Sequence, residues 1–172
     1  MANAIAGMIW KLSAQVVLNL ENENFETSSQ SQRIDIIEEF SCFLMHAADR
    51  RIYADASEEQ RRSFITALIK DMARMLEDSR IDVQGPGAYQ PAFLKKMNNR
   101  SSEYAAYSFS IEEGASFAMR CTLGNHIQLS MGERDGRWIP DYVVGREAPE
   151  SEAALKRTLT GLVSFEPSLP AS

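Results

Sequence analysis

The stretch from Ile34 to Tyr53, IDIIEEFSCFLMHAADRRIY, constrains the fold more than any other part of the chain. Each helical residue advances by roughly 100°, and on that wheel Glu38, Glu39, Cys42, His46 and Asp49 all fall within roughly 60° of Asp35. Ile36, Ile37, Phe40, Phe43, Leu44, Ala47 and Ala48 occupy most of the remaining circumference. A helix apolar over more than half its surface has to be wrapped by other helices. The segment therefore reads as the central helix of a bundle, carrying one narrow polar stripe.

The flanking segments supply the wrapping. Ile5, Met8, Ile9, Leu12, Val16 and Leu20 recur mostly at spacings of three and four, one face of an N-terminal helix. The polar run from Glu21 to Gln32 follows, and Ser29 with Gln32 has the form of a capping box at the start of the second helix. Ser57 to Gln60 repeats that form ahead of Phe64, Ile65, Leu68, Ile69, Met72, Met75 and Leu76, the clearest amphipathic helix in the chain. Gly85-Pro86-Gly87 breaks it, and Pro91 suits the first turn of a fourth helix that ends between about residue 105 and Gly114. A last helix starts near Pro149, with Glu150 and Glu152 in its first turn and Ala154, Leu155, Thr158, Leu159, Leu162 and Val163 on its buried side.

Residues 115–131 satisfy two patterns. Phe117, Met119, Cys121 and Leu123 alternate, Gly124-Asn125 makes a turn, and Ile127, Leu129 and Met131 alternate again, as in a hairpin. As a helix, Phe117, Cys121, Gly124, Ile127 and Met131 share a face, at a cost of about 1 kcal/mol for Gly124 and Asn125. Arg120 would then point into the apolar side and need a carboxylate partner. A lone hairpin needs a partner surface, so the helix is preferred. The fold expected is mainly all-α, a single bundle of about five to seven helices. The alternative is α+β with a small antiparallel sheet within 105–131. Residues 1–24 form an N-terminal amphipathic helix able to serve as a docking or dimer arm, 25–165 the helical domain and 166–172 a loose tail.

With 172 residues, 44% of them hydrophobic, the chain can bury one ordinary core. Its net charge is −6 and its pI about 5.0, and Arg50-Arg51 and Arg61-Arg62 lie close to acids. That balance argues against a nucleic-acid partner, which calls for a basic face. Cys42 and Cys121 show no CxxC spacing, so neither a disulfide framework nor a zinc ribbon is indicated, and a reducing cytoplasm is the expected location. The apolar N-terminus carries Lys11 inside its apolar run and no basic leader, so it reads neither as a secretory signal nor as a membrane span.

The chemistry-bearing residues gather on the stripe. Glu39, Cys42 and His46, at i, i+3 and i+7, offer carboxylate, thiol and imidazole in a row, a set able to hold a transition metal such as zinc or iron. Neither Glu-x-x-His nor HExxH is present, and a simple solvated edge is the favoured reading. No other cofactor is expected. His126, beside Gly124-Asn125, reads as a surface residue, and Cys121 as core. No motif marks an enzyme. The expected function is a non-enzymatic protein-interaction or adaptor domain, homodimeric through its N-terminal helix. The alternatives are a metal-binding protein or small metalloenzyme, and a binder of an apolar small molecule under the Gly85-Pro86-Gly87 loop, near Met72, Met75 and Met97.

Overall fold

The computed structural model describes residues 1–131 and 135–162. Among them are six helices longer than one turn: α1 (Ala2–Asn22), α2 (Gln30–Ile52), α3 (Glu58–Gln84), α4 (Tyr89–Tyr104), α5 (Phe117–Ser130) and α7 (Ala148–Leu162). A single turn, α6 (Ile139–Tyr142), runs through a π-helical turn, Val143–Glu147, directly into α7. The mainly helical bundle expected from the periodicity is what forms. Residues 132–134, and Val163 with the expected tail, lie outside the described residues.

The second helix is central. α1, α3, α4, α5 and α7 all pack on α2. Ile36, Phe40, Phe43, Leu44, Ala47 and Ala48 are fully buried, as a helix apolar over most of its girth requires. α1 docks on its own domain: Ile5, Ile9, Val16 and Leu20 enter the common core, and Ser13 meets Ser41 there, Oγ to Oγ, at 3.2 Å. The caps explain the boundaries. Ser29 Oγ accepts from the Gln32 amide at 3.1 Å, while the Gln32 side chain turns to Ser28 rather than closing the box. Ser57 and Gln60 close theirs in both directions, at 3.2 and 2.9 Å.

The ambiguous segment is helical, and its glycine shows why. A Cβ at Gly124 would stand 3.1 Å from Cα and 3.2 Å from the carbonyl oxygen of Pro140. The glycine in α5 thus lets α6 approach closely, a tertiary gain set against its poor helix propensity. Ser116 caps α5 by accepting from the Met119 amide at 3.3 Å. The β structure of the alternative shrinks to a two-residue ladder, β1 (Phe109–Ser110) with β2 (Gly114–Ala115), pairing Phe109 with Ala115 and Ser110 with Gly114. This ladder is held by polar anchors. Arg51 Nη1 donates to the Ile111 carbonyl at 2.6 Å, and Glu152 Oε1 accepts from the Ala115 amide at 3.0 Å. Gly114 has φ 84°, and a Cβ there would sit 2.7 Å from that same carboxylate oxygen. Arg120 is half-buried and donates to the Ala115 carbonyl at 3.1 Å, with the Glu152 carboxylate near enough to feel its charge.

Candidate functional site

The middle of the polar stripe of α2 is buried, while Asp35 and Asp49 at its ends are half-buried. Glu38 is 6% exposed, Glu39 4%, His46 4% and Cys42 0%. α3 and α4 lie over it and bring four cations onto it. Arg80 donates to Asp35 at 2.5 Å and, through Nη2 and Nε, to Glu38 at 2.8 and 3.1 Å. Lys96 reaches Glu38 at 2.6 Å and Glu39 at 3.6 Å. Arg100 holds both oxygens of Glu39, Nε to Oε2 at 2.7 Å and Nη2 to Oε1 at 3.0 Å. Arg61 closes the far end with two bonds of 2.7 Å to Asp49.

This ladder follows from the helical repeat of the covering helices. Phe64, Leu68, Met72, Leu76 and Arg80 stand four residues apart along α3, so the row that buries four apolar side chains also buries the guanidinium. Lys96 and Arg100 are likewise four apart on α4, beside the buried Phe93, Met97 and Tyr104. Burial alone would push the Glu39 carboxyl up; the Arg100 hydrogen bonds and the charges of Lys96 and Arg100 outweigh it and hold the group below its ordinary value. Burial would likewise depress Lys96, but Glu38, then Glu39, raise it. The net worth of such a ladder is modest, because desolvation offsets attraction, while loss of one partner leaves a buried charge exposed to that full cost.

Above the ladder the stripe changes character. His46 packs against Tyr104 with ring centroids 5.7 Å apart, and Tyr104 meets Phe43 edge-on at 5.7 Å. His46 Nε2 and the Tyr104 hydroxyl are both buried without a hydrogen-bond partner. Burial lowers the imidazole to about 4, so His46 is neutral at physiological pH. Burial also pushes the Cys42 thiol up, reinforced by the charge of Glu39, so its thiolate is strongly disfavoured.

Glu39, Cys42 and His46 thus share one buried face, with Glu39 committed to Arg100 and Lys96. Among the described residues no group of three or more His, Cys, Asp or Glu side chains is placed to hold a metal ion. His126 sits at the edge of the ladder, its Nε2 2.8 Å from Glu103, which in turn lies 3.5 Å from Arg100. Met72 and Met97 are core, Met75 is half-buried, and Gly87 stands against the Tyr89 ring. Sequence reasoning missed Arg61, Arg80, Lys96 and Arg100. The signal for Arg80 was present: a cation closing an apolar row at spacing four calls for a carboxylate opposite it.

A second candidate lies on the outside. An open groove of about 510 Å³ runs between α1, the start of α2 and the end of α3. Ile34 and Ile37 form its buried floor, while Trp10, Ala14, Leu18 and Val83 form its apolar walls. Leu18 is 52% exposed and Val83 42%. Glu21, paired with Arg33 at 2.6 Å, and the exposed Asp82 mark its rim. No family model, curated protein or solved structure matches the chain, and no helix among the described residues is long and apolar enough to cross a membrane.

Proposed function

We propose that the chain is a protein-interaction domain that self-associates through the outer face of α1 and the groove beside it. The observation that carries this reading is the poverty of charge on that face. Lys11 is the single charged side chain between Met1 and Leu20, and Trp10, Ala14 and Leu18 stay on the surface after the core face is buried. Apolar groups left in contact with water favour association. A second copy fits the pattern by twofold symmetry. Two α1 helices crossing antiparallel at Ala14 set Trp10 of each opposite Leu18 of the other, with the small alanine allowing close approach. Lys11 of the second copy then falls opposite Val17, about one helical turn from the rim carboxylate of Glu21. α1 has 21 residues, a ridge about 31 Å long.

The test is mass in solution, by sedimentation across a concentration series, for the full chain and for Leu18→Glu. A dimer that becomes a monomer in Leu18→Glu, with helical content kept, supports the reading. A full chain that stays monomeric throughout overturns it. A transition metal on Glu39, Cys42 and His46 has one observation in its favour, the unpartnered His46 Nε2. Near-stoichiometric zinc or iron in purified chain, lost in His46→Ala, would establish it.

A further inference from the structure

The end of α2 away from the groove borders an open pocket built on cations and rings. Arg50, Tyr53 and Ala54, at i, i+3 and i+4 across the helix terminus, share one face of it. Arg61 joins them from the first turn of α3, Phe109 from β1 and Ile111 from the turn that follows. Together they line a cavity of about 490 Å³, within the range of roughly 300–1,000 Å³ usual for small-molecule sites. The walls are open to solvent: Tyr53 is 65% exposed and Ile111 47%, and Arg50 is half-buried. Among the described residues that line it, none is acidic.

The two guanidiniums of the pocket are not equivalent. Arg61 is spent on acids: Asp49 takes two bonds of 2.7 Å and Glu58 lies at 3.5 Å. Its guanidinium stands 5.1 Å from the centre of the Tyr53 ring. Arg50 has no carboxylate at ion-pair distance and no side-chain hydrogen bond among the described residues. Its guanidinium carbon is 6.0 Å from the centre of the Phe109 ring, which Arg51 also meets at 5.2 Å. Asp55 lines the neighbouring cleft with Arg51 and Lys156 instead. A half-buried guanidinium without an acid presents a flat fork of N–H donors to a planar anion. Beside it Tyr53 and Ile111 leave apolar surface in contact with water. One feature is a charge and the other an apolar area, and the two meet in one cavity. A single unpaired cation suits a single negative charge. A dianion would face Asp49, Glu58 and the carbonyl end of α2 with nothing further to balance it.

We propose that this pocket binds a small aromatic carboxylate, with the anionic end on Arg50 and the ring against Tyr53 and Ile111. The pocket takes no residue from α1 and is independent of self-association. The test is calorimetric titration of naphthoate into the full chain. The expected result is one saturable site per chain with a Kd of about 1 mM or tighter, the reach of a ligand of that size. Neutral naphthamide and inorganic phosphate should each bind about tenfold more weakly or worse. Arg50→Gln should lose about tenfold in affinity for naphthoate with helical content kept. Tyr53→Ser, at an exposed position, should lose several-fold, and it carries the test if Arg50→Gln does not fold. Absence of saturation up to about 10 mM naphthoate overturns the proposal. So does equal affinity for the amide or for phosphate, or equal naphthoate affinity in the folded variant.

Discussion

Glu39 and Glu147 are buried to nearly the same depth, 4% and 1% exposed, yet their surroundings are opposite. Glu39 meets a guanidinium through both oxygens and an ammonium at 3.6 Å. Glu147 meets only neutral groups among the described residues, the Asn19 amide and the Tyr142 phenol. Burial alone therefore does not mark a functional acid; the pairing does. A carboxylate matched by two cations of a covering helix belongs to the packing of α2 against α4, and its chemistry is spent there. A carboxylate met by neutral groups keeps its full charge inside the bundle, with nothing in the packing to balance it.

The sharpest way to break the paired side is Arg100→Ala. It leaves Glu39 with only the more distant Lys96 and should cost roughly 3–5 kcal/mol, read as a lower denaturation midpoint. His46 gives the next largest effect. Its folded-state value of about 4 lies below its ordinary 6.5 because burial penalises the imidazolium; Asp49 opposes that shift, and Arg50 and Arg61 reinforce it. The unfolded chain takes up a proton as pH falls through 6.5 while the native chain does not, so stability is full above 6.5 and is lost between 6.5 and about 4. The loss across that window should be about 3 kcal/mol. Denaturation at a series of pH values should show the slope in wild type and its disappearance in His46→Leu. Glu39, held below its ordinary value, acts in the same direction but lower: its contribution is present above the ordinary carboxylate range and is lost as pH falls beneath it. A profile flat from pH 7 to the carboxylate range would contradict a buried neutral His46.

Much of this arrangement was legible in the residues. The central place of α2 followed from its apolar girth, and the Ser29 cap and the Ser57–Gln60 capping box placed the starts of α2 and α3. What stayed hidden depended on contacts between segments distant in sequence. Residues 117–130 fit a hairpin until Pro140 is set against Gly124, a contact no local window contains. The stripe on α2 shows the same polar pattern whether it faces water or cations, so its residues could be named but their surroundings could not. Arg80 at the end of the row Phe64, Leu68, Met72 and Leu76 was the one local hint of an ionic cover. Glu147 gave no hint at all. A π-turn shifts the phase of the helix, and in sequence Glu147 is indistinguishable from the outward-facing Arg146 beside it.

The contrast between the two acids is tested most directly by chemical denaturation of Glu39→Gln and Glu147→Gln side by side. Neutralising Glu39 leaves the half-buried Arg100 with only Glu103, at 3.5 Å, and should cost about 3 kcal/mol. Neutralising Glu147 removes an unpaired charge while keeping the shape that Asn19 holds, so stability should stay the same or rise by about 1 kcal/mol. If Glu147→Gln loses as much stability as Glu39→Gln, Glu147 is a paired structural acid like Glu39, and the distinction between the two regions falls.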